Sequence, residues 1–143
     1  MISSLLLVDD EDLFHLLFED ACSLLGIALD LQTLSSSDRA DELFAEWKTD
    51  PTGRPECVFV DLNIIGSTYD GVELVRRINQ IHGNGVVIGI ISSSSDPSEI
   101  QRAKDCGAQF WLVKTDEIEP RLEAFRDDYS QYKQRLGSFR VYQ

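Results

Sequence analysis

The chain is poor in positive charge. It contains 13 Lys and Arg residues against 25 Asp and Glu residues among 143, a formal net charge of −12 at pH 7. Binding to nucleic-acid phosphates, or to an anionic membrane surface, relies on an excess of Lys and Arg. The composition therefore argues against nucleic acid and membrane as partners. For most of the acidic residues, the simpler interpretation is that their charge keeps the protein soluble.

Cysteine is scarce, and long apolar runs are missing. Cys22, Cys57 and Cys106 stand far apart, and none belongs to a Cys-x-x-Cys pair, so neither a zinc site nor a disulfide framework is predicted. No apolar run approaches the roughly 18 residues of a membrane span, and no charged-then-apolar leader is present. These absences predict a reduced, cytoplasmic protein.

What the chain does contain is a regular alternation of two patterns within a length that suits one domain. Short apolar runs predict five strands, at 4–8, 27–31, 57–60, 86–91 and 109–113. Apolar residues at helical spacing predict helices at 12–25, after 35–38, at 72–81, from 96 and after 116. This alternation predicts an α/β fold, a single doubly wound parallel sheet of five strands with helices on both faces.

Glycine and cap residues mark several of the predicted boundaries. Gly26 and the stretch Gly83-Asn-Gly85 are expected to end helices. Asp96, followed by Pro97 and by Glu99 three positions after the cap, predicts a helix start.

Polar side chains follow four of the five predicted strands. Asp9 and Asp10 come after the first, Asp61 after the third, Ser92 after the fourth and Lys114 after the fifth. Because ligands of such sheets bind outside the carboxyl ends of the strands, we expect these side chains to converge. Clustered carboxylates require a counter-charge, and Mg²⁺ prefers such oxygen ligands. A carboxylate here can also act as a nucleophile and form an aspartyl-phosphate.

Each of these residues taken alone has a simpler interpretation. An Asp between a strand and a helix is often only a helix cap, which is our prediction for Glu11 and Asp12. A lone Lys114 is typical of a solvated surface charge, and Ser92 lies among four serines. The joint placement at successive strand ends favours a functional site.

Four segments together resemble the signature blocks of response-regulator receiver domains. They are Val8-Asp-Asp-Glu11, Val60-Asp-Leu-Asn63, Ile90-Ile-Ser92 and Leu112-Val-Lys114. The resemblance covers about residues 3–126. It implies a flavodoxin-like fold with strand order 2-1-3-4-5, a receiver domain at 1–127 and a C-terminal helical extension or tail at 128–143.

The resemblance also implies how the site residues act. Asp61 matches the phosphoacceptor. Asp9, Asp10, Asp61 and the backbone carbonyl of Asn63 match the positions that hold Mg²⁺. The implied reaction is transfer of a phosphoryl group to Asp61 from a sensor histidine kinase or a phosphotransfer protein, within a two-component phosphorelay. A receiver of this kind is a signalling domain rather than an enzyme acting on other substrates, and its downstream target is not readable.

Three further residues match positions that respond to the phosphoryl group. Lys114 matches the lysine that pairs with it, and Ser92 matches the hydroxyl that moves towards it. Trp111 matches the aromatic switch position, with a half-buried strand aromatic as the alternative. The resemblance implies that Ser92 and Trp111 move together and repack the face made by the fourth helix and the fifth strand.

Two departures from the family pattern bear on function. The loop Asn63–Gly71 is slightly longer than usual and lacks a proline, and Thr115 follows Lys114 where the family usually has a proline after a cis bond. A cis bond before Thr costs about 3 kcal/mol. With the long loop at 48–56, the Lys-Thr pair is similar to a subgroup of small receivers that includes partners of phytochrome kinases.

Other functions stay open at this point. One is a degenerate receiver that binds a partner constitutively. Another is an Mg²⁺-dependent aspartyl-phosphate phosphatase, because Asp61-Leu-Asn63 loosely resembles the Asp-x-Asp of haloacid-dehalogenase-type enzymes. A flavin or nucleotide binder would need a glycine-rich phosphate loop, which is missing. The segment after Arg126 carries four aromatic residues and is expected to pack on a partner or in a homodimer, or else to fray: Tyr129, Tyr132, Phe139 and Tyr142.

Overall fold

The fold is taken from a computed structural model that describes residues 2–27, 30–64, 68–82, 85–134 and 139–143. The strands are β1 (Ser4–Val8), β2 (Asp30–Leu34), β3 (Cys57–Asp61), β4 (Val87–Ser92), β5 (Phe110–Val113) and β6 (Arg140–Tyr142). The helices are α1 (Asp12–Leu25), α2 (Ser37–Thr49), α3 (Gly71–His82), α4 (Pro97–Asp105) and α5 (Ile118–Gln134). A short 3₁₀ turn, Pro51–Gly53, follows α2.

The strands form one parallel sheet in the order β2-β1-β3-β4-β5-β6. The parallel α/β architecture and the order of the first five strands are as predicted, but the prediction of five strands is wrong. The segment expected to be only a helical extension or tail adds β6 to the outer edge of β5. Three residues are too few to show a period in the sequence, whereas the unpaired edge of β5 offers them hydrogen-bonding groups.

The core lies on both faces of the sheet, because alternate residues of each central strand point to opposite sides. In β1, Leu5 and Leu7 pack with α1 and α5, whereas Leu6 and Val8 pack with α2 and α3. Every residue of β3 and β4 is buried, which explains their continuous apolar runs.

Most element boundaries follow the sequence signals. Gly26 ends α1 in the left-handed conformation at φ 66°, which glycine adopts without strain. Asp96 caps α4 by accepting a hydrogen bond from the Ser98 amide, with Pro97 as the first helical residue. One strand is displaced. β2 was predicted at 27–31 but runs from Asp30 to Leu34, an edge strand whose half-exposed pattern carries little periodicity.

Some predictions fall outside the described residues. They concern Leu29 in the second strand, Gly83 and Asn84 at the end of the third helix, residues 65–67 of the loop after Asp61, and residues 135–138 of the tail. The predicted domain boundary at residue 127 falls within α5 and stays a prediction. All three cysteines are free thiols, and none of the described helices has the length and apolarity to cross a membrane.

Candidate functional site

The centre of the site is a pair of carboxylates at the ends of two adjacent strands. Asp9 directly follows β1 and is fully buried, and Asp61 is the last residue of β3 and is 7% exposed. Because β1 and β3 pair in parallel with Val8 opposite Val60, their carboxyl ends lie side by side. The structure thus brings together two of the acids that the sequence placed at the strand ends.

Lys114 supplies the positive charge of the site. Its Nζ lies 2.8 Å from Asp9 Oδ2, 2.7 Å from Glu11 Oε1 and 3.6 Å from Asp61 Oδ2. The same ammonium lies 4.4 Å from the centre of the Phe14 ring, and the side chain is only 10% exposed. Lys114 is therefore not a solvated surface charge. Its peptide bond to Thr115 is trans.

Glu11 belongs to the site, which the sequence reading missed. It occupies the N-cap position of α1, but its side chain makes no capping hydrogen bond and pairs instead with Lys114. The Glu11 amide donates to Asp9 Oδ1 at 2.8 Å, so Asp9 satisfies the backbone at the helix start. The prediction that Glu11 serves as a cap is wrong, because a cation within reach outcompetes the local backbone. The sequence signal that could have indicated a role for Glu11 in the site is its position directly after Asp9 and Asp10.

The carboxylates of Asp9, Glu11 and Asp61 offer oxygen atoms that all lie within 4.8 Å of one another. Hard carboxylate oxygens at this spacing are the donor set that Mg²⁺ or Ca²⁺ prefers, so the residues present fit a divalent cation. Asp10 is half-buried and acts on the site through its charge, which contributes to raising the pKa of Asp61. Asn63 is exposed, two residues after Asp61.

Burial and like charge leave the Asp61 carboxyl poorly stabilised as an anion. Burial, and next the Asp9 charge, raise the pKa of Asp61 from its ordinary 3.8 to about 7, against the opposing pull of Lys114. For Lys114, burial acts to lower the pKa, but hydrogen bonds to Asp9 and Glu11 outweigh it and the pKa is raised. The site therefore holds one cation and an excess of acids, and it favours the entry of a further positive charge.

A second group of residues connects the site to β5. Ser92 ends β4, is 3% exposed and accepts a hydrogen bond on its Oγ from the Ser94 amide at 3.1 Å. The Ser94 carbonyl in turn accepts from the indole Nε1 of Trp111 at 3.0 Å. Trp111 is fully buried, so the alternative of a half-buried aromatic is wrong. Ser92 and Trp111 are thus joined through a single intervening residue.

The start of α3 is packed directly against the backbone of Asp61. The Gly71 amide donates to the Leu62 carbonyl at 2.9 Å. A Cβ at Gly71 would lie 2.2 Å from the Asp61 carbonyl oxygen, closer than any real Cβ contact. The closeness of helix and strand therefore depends on glycine at this position, which the sequence analysis did not single out.

The sequence model of the family described as the response regulator receiver domain matches residues 5–124. Since this match spans most of the chain, the chain belongs to the response regulator receiver domain family. It is a signalling domain of two-component systems. A search of curated proteins found no match.

Solved structures show the same fold. NtrX from Brucella abortus is 23% identical with a TM-score of 0.78, and the match covers 94% of this chain and 28% of the NtrX chain. RPA3017, a response regulator in red light signalling of R. palustris, is 23% identical with a TM-score of 0.72, covering 90% of this chain and 92% of that one. A response regulator of Burkholderia pseudomallei, solved with a phosphorylated aspartic acid, a calcium ion and citrate, is 19% identical with a TM-score of 0.69, covering 92% and 71%.

Proposed function

We propose that the protein is a phosphoaccepting receiver, in which Asp61 takes a phosphoryl group from a histidine kinase or a phosphotransfer protein in a cytoplasmic phosphorelay. The observation that carries this proposal is the buried carboxylate of Asp61 beside Asp9 and Lys114 at one edge of the sheet. The Burkholderia pseudomallei relative, which holds a phosphorylated aspartic acid and a calcium ion, supports it by likeness of fold.

Asp61 is the residue best placed to act as the nucleophile. A carboxylate oxygen of Asp61 would attack the phosphorus of a phosphohistidine, so that an O–P bond forms, the P–N bond breaks and the imidazole leaves with the electron pair. An anionic carboxylate is needed for this attack. Because burial and Asp9 raise the pKa of Asp61, the carboxylate requires a neighbouring positive charge near neutral pH.

Two kinds of positive charge serve this purpose. Lys114 is already 3.6 Å from Asp61 Oδ2 and would pair with the transferred group once released from its carboxylate partners. Mg²⁺, held by Asp9, Asp10, Asp61 and the Asn63 carbonyl as the family pattern implies, would supply the remaining charge neutralisation. Glu11 is a further candidate ligand, because its carboxylate lies in the same cluster as those of Asp9 and Asp61.

Ser92 and Trp111 would report phosphorylation to the rest of the molecule. The Ser92 hydroxyl, which now accepts from Ser94, would instead donate to a phosphoryl oxygen. This movement would disturb the Ser94 carbonyl to which the Trp111 indole is bonded. The two arrangements form a two-state equilibrium that the phosphoryl group biases.

The test is the intact mass of the protein after incubation with Mg²⁺ and acetyl phosphate. We expect a gain of one phosphoryl group in the wild-type chain and no gain in Asp61→Asn. Asp20→Asn, an acid exposed on α1, is the matched control and keeps the gain. A sample depleted of divalent cations should also fail to gain mass.

Other results of this experiment would distinguish between the alternative functions. A folded protein that gains no phosphoryl group with Mg²⁺ would contradict phosphoacceptance and favour a receiver-like adaptor that binds its partner constitutively. Continuous release of phosphate from small phosphate esters would instead favour the phosphatase. A phosphoryl gain that persists in Asp61→Asn would show that the acceptor is a different residue.

A further inference from the structure

The sixth strand covers the edge of the sheet next to Trp111. In the register of β5 and β6, Val141 lies opposite Trp111, and Tyr142 lies opposite Leu112. The Arg140 amide also donates to the Gln109 carbonyl. The backbone groups of β5 that would otherwise form a free edge are therefore occupied by a segment of the same chain.

Specific side-chain contacts hold β6 to α5. The Tyr142 hydroxyl donates to Asp128 Oδ2 at 2.9 Å and lies 2.7 Å from the Tyr132 hydroxyl. Arg140 donates to Gln131 Oε1 at 2.6 Å. The Tyr142 ring also packs edge-on against Phe125, with 6.0 Å between ring centres. Burial of Tyr142 to 8% exposure makes these contacts a built docking site rather than a frayed end.

The residue before β6 contacts the opposite face of the sheet. Phe139 packs against the cluster that contains Trp111, and Lys104 of α4 lies 5.9 Å from the centre of its ring. The segment 139–143 thus touches both α4 and α5 at its two ends. It spans the face that the Ser92–Trp111 movement would repack.

Two hydrogen bonds and the pairing of β5 with β6 connect this segment to Ser92, which follows the residue opposite Asp61 in the sheet. Ser92 accepts from Ser94, Ser94 accepts from Trp111, and the Trp111 backbone is paired with β6. Movement of Ser92 towards a phosphoryl group would remove the first of these bonds. The same movement would shift the acceptor of the Trp111 indole, and Trp111 lies opposite Val141 in the ladder.

We propose that residues 139–143 are an intramolecular occupant of the α4–β5–α5 face, and that phosphorylation of Asp61 weakens their docking. This inference rests on the proposed function. β6 binds the unphosphorylated arrangement more tightly, and it withholds the β5 edge from extended segments of other proteins until Asp61 is phosphorylated. By linkage, weaker docking of β6 shifts the population towards the arrangement that accepts the phosphoryl group, and phosphoryl gain through that arrangement becomes faster as its population grows.

The experiment compares the full-length wild-type chain with Tyr142→Phe, which removes the hydroxyl that bonds Asp128 and Tyr132 and leaves the ring. Tyr129→Phe is the matched control, because Tyr129 lies on α5 in the same apolar cluster as Tyr142 and donates its hydroxyl to Glu56 at 2.8 Å, away from β6. Two quantities are measured in Mg²⁺ and acetyl phosphate. They are the initial rate of phosphoryl gain by intact mass and the hydrogen exchange of the amides in 139–143.

We expect Tyr142→Phe to gain the phosphoryl group at least about fivefold faster than wild type, because fivefold is the factor equivalent to one net hydrogen bond of about 1 kcal/mol and the variant loses two. Tyr129→Phe keeps the wild-type rate. In the wild-type chain, exchange in 139–143 accelerates once Asp61 is phosphorylated. Exchange that is unchanged in a protein shown by mass to be phosphorylated, or equal rates in the two tyrosine variants, would overturn the coupling and leave phosphoacceptance intact. No phosphoryl gain in any variant would overturn both.

Discussion

Burial and charge oppose each other most directly at Asp61. Its carboxyl is nearly buried, and it lies beside Asp9 with Lys114 as the compensating cation. Lys114 is closer to Asp9 and Glu11 than to Asp61, so its charge is divided among three acids. A bound cation can therefore control the charge of the Asp61 carboxyl, because this carboxyl is poorly stabilised as an anion in the free protein.

The first prediction concerns pH. The pKa of Asp61 is raised to about 7 in the folded protein, so the native state holds this proton more tightly than the unfolded chain does. As pH rises from about 4 to about 7, ionisation of Asp61 therefore lowers the free energy of unfolding. Above that range the whole of this loss of stability is present. Asp61→Asn should remove this cost and stabilise the protein by on the order of 2 kcal/mol at about pH 8.

Urea unfolding without divalent cations, at about pH 5 and about pH 8, measures this difference. Asp20→Asn is the matched control for removing one negative charge, because Asp20 is exposed on α1. If Asp61→Asn changes the free energy of unfolding by the same amount as Asp20→Asn, both at about pH 5 and at about pH 8, the elevated pKa of Asp61 is contradicted.

Among the elements, α3 is the one whose position bears most directly on Asp61. It starts at Gly71, where the backbone approaches the Asp61 carbonyl more closely than any side chain would allow. The first turn is also held by Asp70, which accepts from the Glu73 amide at 2.9 Å and pairs with Arg102 of α4 at 2.8 Å. These contacts therefore hold the end of β3, the start of α3 and α4 together around Asp61.

The second prediction follows from this contact. Gly71→Ala must push α3 away from β3, since the added Cβ meets backbone rather than a flexible side chain. We expect the free energy of unfolding to fall by about 2 kcal/mol and phosphoryl gain to slow severalfold. Urea unfolding and intact mass are the measurements. Gly53→Ala is the control, because its Cβ would have Trp47 as its nearest neighbour at 3.8 Å, an ordinary contact.

A wild-type phosphorylation rate in a destabilised Gly71→Ala protein would show that the α3 contact serves the fold alone. Equal loss of stability in Gly53→Ala would show that the close approach to Asp61 is not the cause. Either result would leave the role of Asp61 itself untouched.

The whole molecule carries a net charge of −12, and three acids of that excess lie within one site. Like charges at short range raise the free energy of the folded state, so a ligand that neutralises them stabilises the fold. Salt screens the exposed acids in general, whereas a divalent cation acts on the cluster of Asp9, Glu11 and Asp61 in particular.

The third prediction is that Mg²⁺ raises the melting temperature. At ten times its Kd, a single bound ion adds about 1.4 kcal/mol to stability, which corresponds to a rise of about 5 °C for a chain of this size. Differential scanning calorimetry in Mg²⁺, against K⁺ at equal ionic strength, measures the rise. Asp9→Asn should lose most of it and Asp20→Asn should keep it. An equal rise of the melting temperature in K⁺ would show that general screening of charge, and not a bound divalent cation, stabilises the protein.

The sequence by itself determined the architecture and the side of the sheet on which the site lies. Continuous apolar runs specify β1, β3 and β4, because a strand buried on both faces needs apolar residues at every position. Parallel strands share one carboxyl edge, so residues placed just past their ends are gathered without any knowledge of packing. Asp9, Asp61, Ser92 and Lys114 were found in this way, and their chemical roles stay predictions.

Only the tertiary structure decided how these side chains are partnered and how the sheet ends. Glu11 reaches Lys114 instead of its own helix, because the choice depends on a lysine distant in the sequence. The requirement for Gly71 arises from the backbone of another element, and β6 exists because β5 has an edge to pair with. These features depend on distances between segments that are remote in the chain. A pattern of residues that are neighbours in the sequence does not determine such distances.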